Sequence, residues 1–242
     1  MKIIALSDLH GNLPIIREDE WADVVCVCGD IVPTNIQNSM IKSISWFHQR
    51  FVPWCNGIHC DRVIFVGGNH DFFLPKIVSY LNNGKASKIE LEDVASDMIN
   101  EYLLLEGTKV VYLQDNEYVY KGVKFYGTPW IPELSRWAFY KDDDSLKDAY
   151  EKIPNDVDVL LTHSPGRYVL DTGVSLQKYN RPEYGSSVLT EVLVEKNPKY
   201  WFCGHVHSGN HRLEYWGDTK VANVSVLDEN YDVAYEPLVV EI

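Results

Sequence analysis

Five short groups of residues in this chain carry side chains suited to binding divalent cations. Asp8 and His10 stand two apart in Ser-Asp-Leu-His-Gly-Asn, and Asp30 follows Gly29. Asn69, His70 and Asp71 follow Gly67-Gly68, His163 precedes Ser-Pro-Gly, and His205 and His207 share Gly-His-Val-His. Carboxylate, imidazole and amide oxygen are borderline-hard donors that suit Mn²⁺, Fe, Zn²⁺ or Mg²⁺ and match Cu(I) poorly. Of the 8 histidines, His10, His70, His163, His205 and His207 fall in these groups, which scattered structural histidines would not do. Each group alone has a plainer reading. Asp-Leu-His-Gly is a turn, Asn and Gly after a strand serve turn geometry, and Gly-His-Val-His is a pair of loop imidazoles. Their joint occurrence, each group behind its own apolar run, is what points to a metal centre.

Those apolar runs are Lys2–Leu6, Asp23–Cys28, Arg62–Val66, Asp158–Leu161 and Tyr200–Cys203. Runs of this length bounded by glycine and polar turns read as strands buried on both faces. In open α/β sheets, functional groups gather where such strands end and loops begin. The intervening segments read as helices: Asn35–Phe51, with an apolar stripe of Ile36, Met40, Ile44, Phe47 and Phe51; Phe72–Leu81; and Ser186–Glu195, capped by Ser186 or Ser187. Alternation of strand and helix implies right-handed crossovers and largely parallel pairing. Lys109–Gly127, with a hairpin turn at Lys121-Gly122, and Arg212–Ile242, broken at Gly217-Asp218 and Asp228-Glu229-Asn230, read instead as short meandering strands. They predict a second sheet packed on the first. The expected class is α/β, a two-sheet sandwich with helices on its outer faces, and 242 residues suit one domain over 1–242.

The composition, 45% hydrophobic and 24% charged, is that of a globular protein. No apolar run approaches the ~20 residues of a membrane span, so no membrane partner is expected. The N-terminus reads as an opening strand rather than a signal peptide, which predicts a cytoplasmic location. Net charge is −13, with 35 acidic residues against 22 basic ones, and this opposes long-range attraction to a nucleic-acid backbone. Two bound cations would still reverse the field at the site itself. Arg17-Glu18-Asp19-Glu20 and Asp142-Asp143-Asp144 read as solvated surface. Five cysteines give no disulfide framework. Cys26 and Cys28 share a strand face as small core residues, and Cys55, His59 and Cys60 lack the fourth ligand of a zinc site.

With its motifs in this order, from Asp8-x-His10 through Gly29-Asp30, Gly68-Asn69-His70-Asp71 and His163 to Gly204-His205-x-His207, the chain resembles the calcineurin-like metallophosphoesterases. Its shortness and Gly127-Thr128-Pro129-Trp130 resemble the compact branch that holds class III phosphodiesterase-like proteins. The resemblance implies a four-layer α/β/β/α sandwich of two mixed sheets. It implies that Asp8, His10 and His207 hold a first metal, that Asn69, His163 and His205 hold a second, and that Asp30 bridges them. His70 matches a non-ligand histidine that contacts phosphate and assists the leaving group. Asp71 matches an acidic residue that orients or tunes that imidazole.

The function so implied is hydrolysis of a small organic phosphate ester, a phosphodiester or nucleotide-like compound. Two divalent ions roughly 3.5–4 Å apart would make a bridging water acidic enough to attack phosphorus in line. Mn²⁺ is the first expectation, with Fe, Zn²⁺, Ni²⁺ or Mg²⁺ as alternatives, because such ligands accept several metals. The partner is a small phosphorylated substrate, and the oligomeric state is left open. Trp130, Trp137, Phe139, Tyr140, Tyr168, Tyr179 and Tyr184 crowd the loops near the motifs, either as packing residues or as a surface that stacks a nucleobase or aryl group. Arg167 and Arg181 either bind phosphate or carboxylate there or are ordinary surface arginines, and His211 reads as structural. Two other functions fit the same residues less well: a nuclease or nucleic-acid phosphatase, and a non-catalytic scaffold on the same fold.

Overall fold

The computed structural model describes residues 1–17, 21–82, 95–132, 134–172, 183–208 and 211–242. Tyr179, Arg181 and the acidic stretch Glu18-Asp19-Glu20 lie outside the described residues. Among the described residues, eleven strands form two mixed sheets. The first has the order β11-β1-β2-β3-β4, with β1 Lys2–Leu6, β2 Ala22–Val27, β3 Cys60–Phe65, β4 Val110–Tyr112 and β11 Leu238–Glu241. The second has the order β5-β6-β7-β8-β10-β9, with β5 Asn116–Tyr120, β6 Val123–Thr128, β7 Val159–Thr162, β8 Tyr200–Cys203, β9 Glu214–Trp216 and β10 Thr219–Asn223. β1 through β4 pair in parallel, as do β6, β7, β8 and β10, while β5, β9 and β11 join antiparallel at the edges. The five runs behind the motifs are thus shared between the sheets. The C-terminal segment is divided too: β9 and β10 extend the second sheet and β11 crosses back to the first.

The period-two alternation of strand side chains accounts for the four layers. Ile3, Ala5, Val24, Cys26, Cys28 and Ile64 from the first sheet meet Phe125, Val159, Leu161, Phe202 and Ala222 from the second, forming the core between sheets. The alternate residues face outward. Val25, Val27 and Phe65 pack with Phe47, Phe51, Phe73 and Ile77 of one helical layer, and Leu160 and Trp201 belong to the same outer apolar set as Leu189 and Leu193 of the other. Cys26 and Cys28 are therefore core residues on one face, as expected, and every cysteine is a free thiol.

The long helical segment starts later than Asn35. Ser39 caps α1, Met40–Trp46, by accepting from Lys42 N–H, while residues 34–38 form turns. The buried positions Ser43, Phe47, Phe51 and Cys55 recur every four residues. On an α-helix of 3.6 residues per turn such a row drifts by about 40° per step. A π-helical turn at Phe47–Phe51 between α1 and α2, Val52–Gly57, takes up the excess and keeps the row against the sheet. The hairpin turn lies where the sequence places it, with positive φ at both Lys121 (48°) and Gly122 (81°). Two positive φ values match the right-handed twist of the flanking strands.

Candidate metal centre

The backbone that leaves the parallel strands keeps pairing past their ends. Asp8 N–H donates to Gly29 O at 3.0 Å and His10 N–H to Asp30 O at 2.8 Å, so the first two motifs lie side by side. Gly204 N–H donates to His163 O at 2.9 Å and does the same for the last two. The Asp8 carboxylate then accepts from His205 N–H at 3.0 and 3.1 Å, tying the two sheets together at this end. Gly68 and Gly204 allow the close approach: a Cβ at Gly68 would strike the Asp30 carboxylate, and one at Gly204 the Asp8 carboxylate. Asp8, His10, Asp30 and His205 all adopt positive φ, between 42° and 70°. Non-glycine residues rarely take that conformation, and those that do cluster at functional sites.

The seven predicted ligands come together. Asp30 Oδ2 lies 3.5 Å from His10 Nε2 and 3.5 Å from His163 Nε2, so one carboxylate faces both halves of the cluster. On one side His207 Nε2 is 3.4 Å from Asp8 Oδ1. On the other, Asn69 Oδ1 is 2.8 Å from His163 Nε2 and 2.9 Å from His205 Nδ1. Metal–donor distances of ~2.1 Å place neighbouring ligands of one ion about 3 Å apart, and these atoms are so spaced. Among the described residues, the trios Asp8–His10–His207, Asp8–Asp30–His163 and His10–Asp30–His70 each bring their donor atoms within 4.8 Å. Cys55, His59 and Cys60 form no such group.

The orientation of the imidazoles fits metal binding. His163 Nδ1–H donates to Cys28 O at 2.8 Å and His207 Nδ1–H to Asp228 O at 3.0 Å, which leaves each Nε2 lone pair facing the centre. His10 is 7% exposed, and neither of its ring nitrogens has a hydrogen-bond partner among the described residues. An imidazole so buried and unpaired is costly to the fold unless something else takes its lone pair.

Burial, countered in part by Asp8, pushes His10 down to about 2, and burial with charge on His163 takes His205 to about 3. These rings are neutral at physiological pH, as ligands must be. Burial opposes the charge on Asp8 and on His207. Their mutual hydrogen bond and attraction prevail, holding Asp8 well below the carboxylate range and raising His207. Asp30 moves the other way, raised by burial and then by Asp8 and Asp71. A bridging cation would relieve that repulsion.

The surroundings correct the expectation for Asp71 and decide several readings that the sequence leaves open. Asp71 does not touch the imidazole of His70. Its carboxylate accepts from Ile31 N–H (3.0 and 3.2 Å), Val32 N–H (3.1 Å) and Gly68 N–H (3.0 Å), clamping the loop after Asp30 onto the loop before Asn69. The partner of His70 Nδ1 is Gln37 Oε1. Trp130 is packing, not rim: its indole N–H donates to Asp115 at 2.8 and 2.9 Å, anchoring the loop after β6. Phe139 is buried, and Tyr140 and Tyr168 are exposed without a ring contact to the metal-facing residues. Arg167 is ion-paired with Glu183. His211 stacks on Tyr235 at 3.5 Å and donates to His207 O at 3.0 Å, a structural role.

Three rings do reach the centre. Trp137 lies 4.5 Å from the His70 ring, and Tyr184 lies 5.9 Å from His205. Tyr231, which the sequence did not signal, lies 4.8 Å from His10 and 5.0 Å from His207. It sits in the Asp228–Asp232 turn with φ 66°, an outlier for an aromatic residue. Burial, then charge on Asp30 and Asp8, raises its phenol, which remains an O–H donor.

The family model for calcineurin-like phosphoesterases matches residues 1–209, which takes in all five motifs. A UPF0046 protein of Caenorhabditis elegans is 27% identical over 100% of this chain and 60% of its own length. Metallophosphoesterase domain-containing protein 1 of Homo sapiens is 26% identical over 100% of this chain and 71% of its own. The chain thus spans well under the full length of these relatives. Among solved structures, the phosphopantetheinyl hydrolase of Mycobacterium tuberculosis shares the fold, with a TM-score of 0.50 and 16% identity over 95% of this chain and 90% of that one.

Proposed function

The chain belongs to the calcineurin-like phosphoesterase family, and from that premise we propose that it hydrolyses a small organic phosphate ester, a phosphodiester or nucleotide-like compound, with two divalent metal ions. The observation that carries this reading is the position of Asp30, with one carboxylate oxygen 3.5 Å from imidazole nitrogens of both halves of the cluster. Asp8, His10 and His207 would hold one ion, Asn69, His163 and His205 the other, and Asp30 both. Mn²⁺ is the first metal to test, with Fe, Zn²⁺, Ni²⁺ and Mg²⁺ behind it. Held there, two such ions supply Lewis acidity toward phosphate oxygens and a water acidic enough to be a nucleophile near neutral pH.

The chain's own residues supply the rest. His70 Nε2 faces the centre, 3.9 Å from Asp30 Oδ2, where it can donate to a phosphate or leaving oxygen. The Tyr231 phenol is a second donor beside His10 and His207. Trp137 and Tyr184 give the site apolar walls that suit the organic part of an ester. Asp71 holds the two metal-bearing loops together through their backbone N–H groups.

Turnover of bis(p-nitrophenyl) phosphate and p-nitrophenyl phosphate, assayed with Mn²⁺, Ni²⁺ and Mg²⁺ beside metal stoichiometry, tests the reading. Two bound ions with metal-dependent turnover is the expected result. Two bound ions with no turnover of either ester would favour a non-catalytic scaffold. Cleavage of single-stranded nucleic acid in preference to both would favour a nuclease, against which the net charge of −13 argues.

A further inference from the structure

His70 is held by a residue distant in sequence, and the hold is of an unusual chemical kind. An imidazole that must donate a proton is commonly braced by a carboxylate, and Asp71 stands next to it in the chain. The Asp71 carboxylate is committed elsewhere, to Ile31, Val32 and Gly68 N–H. The brace is instead a neutral amide, with His70 Nδ1–H donating to Gln37 Oε1.

Gln37 is itself well fixed. Its turn follows Pro33, which lies against Gly11, and closes through Ile36 N–H to Pro33 O (3.1 Å) and Ser39 N–H to Ile36 O (2.9 Å). Ser43 Oγ–H, from the first turn of α1, donates to Ile36 O at 3.2 Å. A circuit results. Asp71 clamps Ile31 and Val32 at the start of the segment, and the segment returns Gln37 to the imidazole beside Asp71.

We infer that Gln37 is the positioning residue for His70: its amide oxygen fixes the Nδ1–H form of the ring and aims Nε2 at the leaving oxygen. The inference rests on the phosphoesterase reading above. A neutral acceptor satisfies Nδ1–H whether or not Nε2 carries a proton, so the aim of the ring does not change as the proton moves. In the hydrolysis, water supplies the oxygen of the new P–O bond. The bond to the leaving group breaks with its electron pair on the leaving oxygen, which takes the Nε2 proton of the His70 imidazolium, and the proton shed by the water restores that imidazolium.

Two measurements test this. Long-range ¹⁵N–¹H spectra of the metal-free protein should show His70 protonated at Nδ1, and Gln37→Ala should turn that signal into a mixture of tautomers. The second uses methyl p-nitrophenyl phosphate and methyl phenyl phosphate, a good and a poor leaving group, with Mn²⁺. Gln37→Ala should keep two metals and an unchanged KM but lower kcat on the phenyl ester by about 10- to 100-fold, with little effect on the nitrophenyl ester. Gln37→Glu, which still accepts from Nδ1–H, should restore most of the lost kcat. Adding Gln37→Ala to His70→Ala should cost nothing further. Equal losses on both esters, or additive losses in the double variant, would overturn the role of Gln37 alone. A His70→Ala loss that ignores the leaving group would overturn the acid role of His70, and the inference with it.

Discussion

The two ends of the sheet sandwich use the same kinds of charge to opposite effect. At the carboxyl ends, Asp8 and Asp30 are 0% and 2% exposed among imidazoles, neither His10 nitrogen has a hydrogen-bond partner among the described residues, and Asp8, His10, Asp30, His205 and Tyr231 sit at positive φ. At the amino ends, Lys121 of the β5–β6 hairpin reaches across to the first sheet and lies 2.7 Å from Asp23 Oδ1 and 2.9 Å from Asp61 Oδ2. Every partner in that clasp is matched. Asp23 also accepts from Lys2 N–H at 2.8 Å, and Asp61 from Tyr120 O–H at 2.8 Å. One end is satisfied and partly exposed; the other is strained, buried and incomplete. The incomplete end is where a ligand can add what the protein leaves out.

The contrast breaks most sharply at Asp30. Asp30→Ala should lose the paired metal site and at least ~10²-fold in activity, since it removes preorganised charge from the centre. Stoichiometry by elemental analysis checks it, and two ions with full activity would refute the assignment. The milder Asp30→Asn should separate stability from function. It removes a carboxylate whose ionisation is opposed by burial and by Asp8 and Asp71, so the metal-free variant should melt higher than the metal-free parent. Added Mn²⁺ should then raise the parent's midpoint and leave the variant's nearly unmoved.

His70 comes next. Its Nε2 faces the centre although its Nδ1 belongs to Gln37. His70→Ala should keep both ions and lose ~10²–10⁴-fold in kcat, the usual worth of a general acid. If one ion left with the side chain, His70 would be a ligand instead, as the His10–Asp30–His70 trio permits geometrically.

The difference between these residues and their neighbours also explains what the sequence could reveal. The five strands and the seven donors are local facts: each donor follows its strand by a few residues, and the parallel register continued by Asp8 N–H to Gly29 O brings the groups together. Family resemblance supplied the pairing of donors with ions. Gln37 and Tyr231 left no such trace, because each meets the centre through a loop whose path depends on distant contacts, 33 residues away for Gln37 and His70. Asp71 reads in the sequence as an acidic partner of His70 and not as a backbone clamp, since its partners Ile31 and Val32 contribute only N–H groups. The π-turn at Phe47–Phe51 was visible in the four-residue spacing of Ser43, Phe47, Phe51 and Cys55, yet only once their burial was known.

Asp115 lies between the two extremes, partly buried but satisfied like the clasp. Its carboxylate accepts from Thr128 Oγ1–H at 2.7 Å and from the Trp130 indole. Burial outweighs these bonds and raises it to about 6 from 3.8. The folded state therefore binds the proton more tightly than the unfolded chain does. The stability this gives is complete below pH ~4 and is lost as pH rises through ~6, by up to about 3 kcal/mol. Asp115→Asn keeps an acceptor for both donors and cannot ionise. Urea midpoints compared between pH 4.5 and pH 7.5 should fall less in the variant than in the parent. Parallel curves would mean that the carboxyl is not raised.

The clasp should yield the smallest effect. Lys121 is half exposed, and such ion pairs contribute little because water and salt already screen them. The hydrogen bonds with Asp23 and Asp61 hold its ammonium charged well above the usual lysine range, so no pH dependence near neutrality is expected from it. Lys121→Met keeps an unbranched apolar stem and removes the ammonium, whose Nζ lies 5.7 Å from the Trp21 ring centroid and 5.3 Å from that of Tyr120. Its thermal midpoint should drop slightly in low salt and match the parent in 1 M NaCl, with metal content and kcat unchanged in both. A loss of activity in Lys121→Met would show that the two ends are coupled through the sheets. The sandwich would then be more than a support that keeps its charged clasp apart from its metal site.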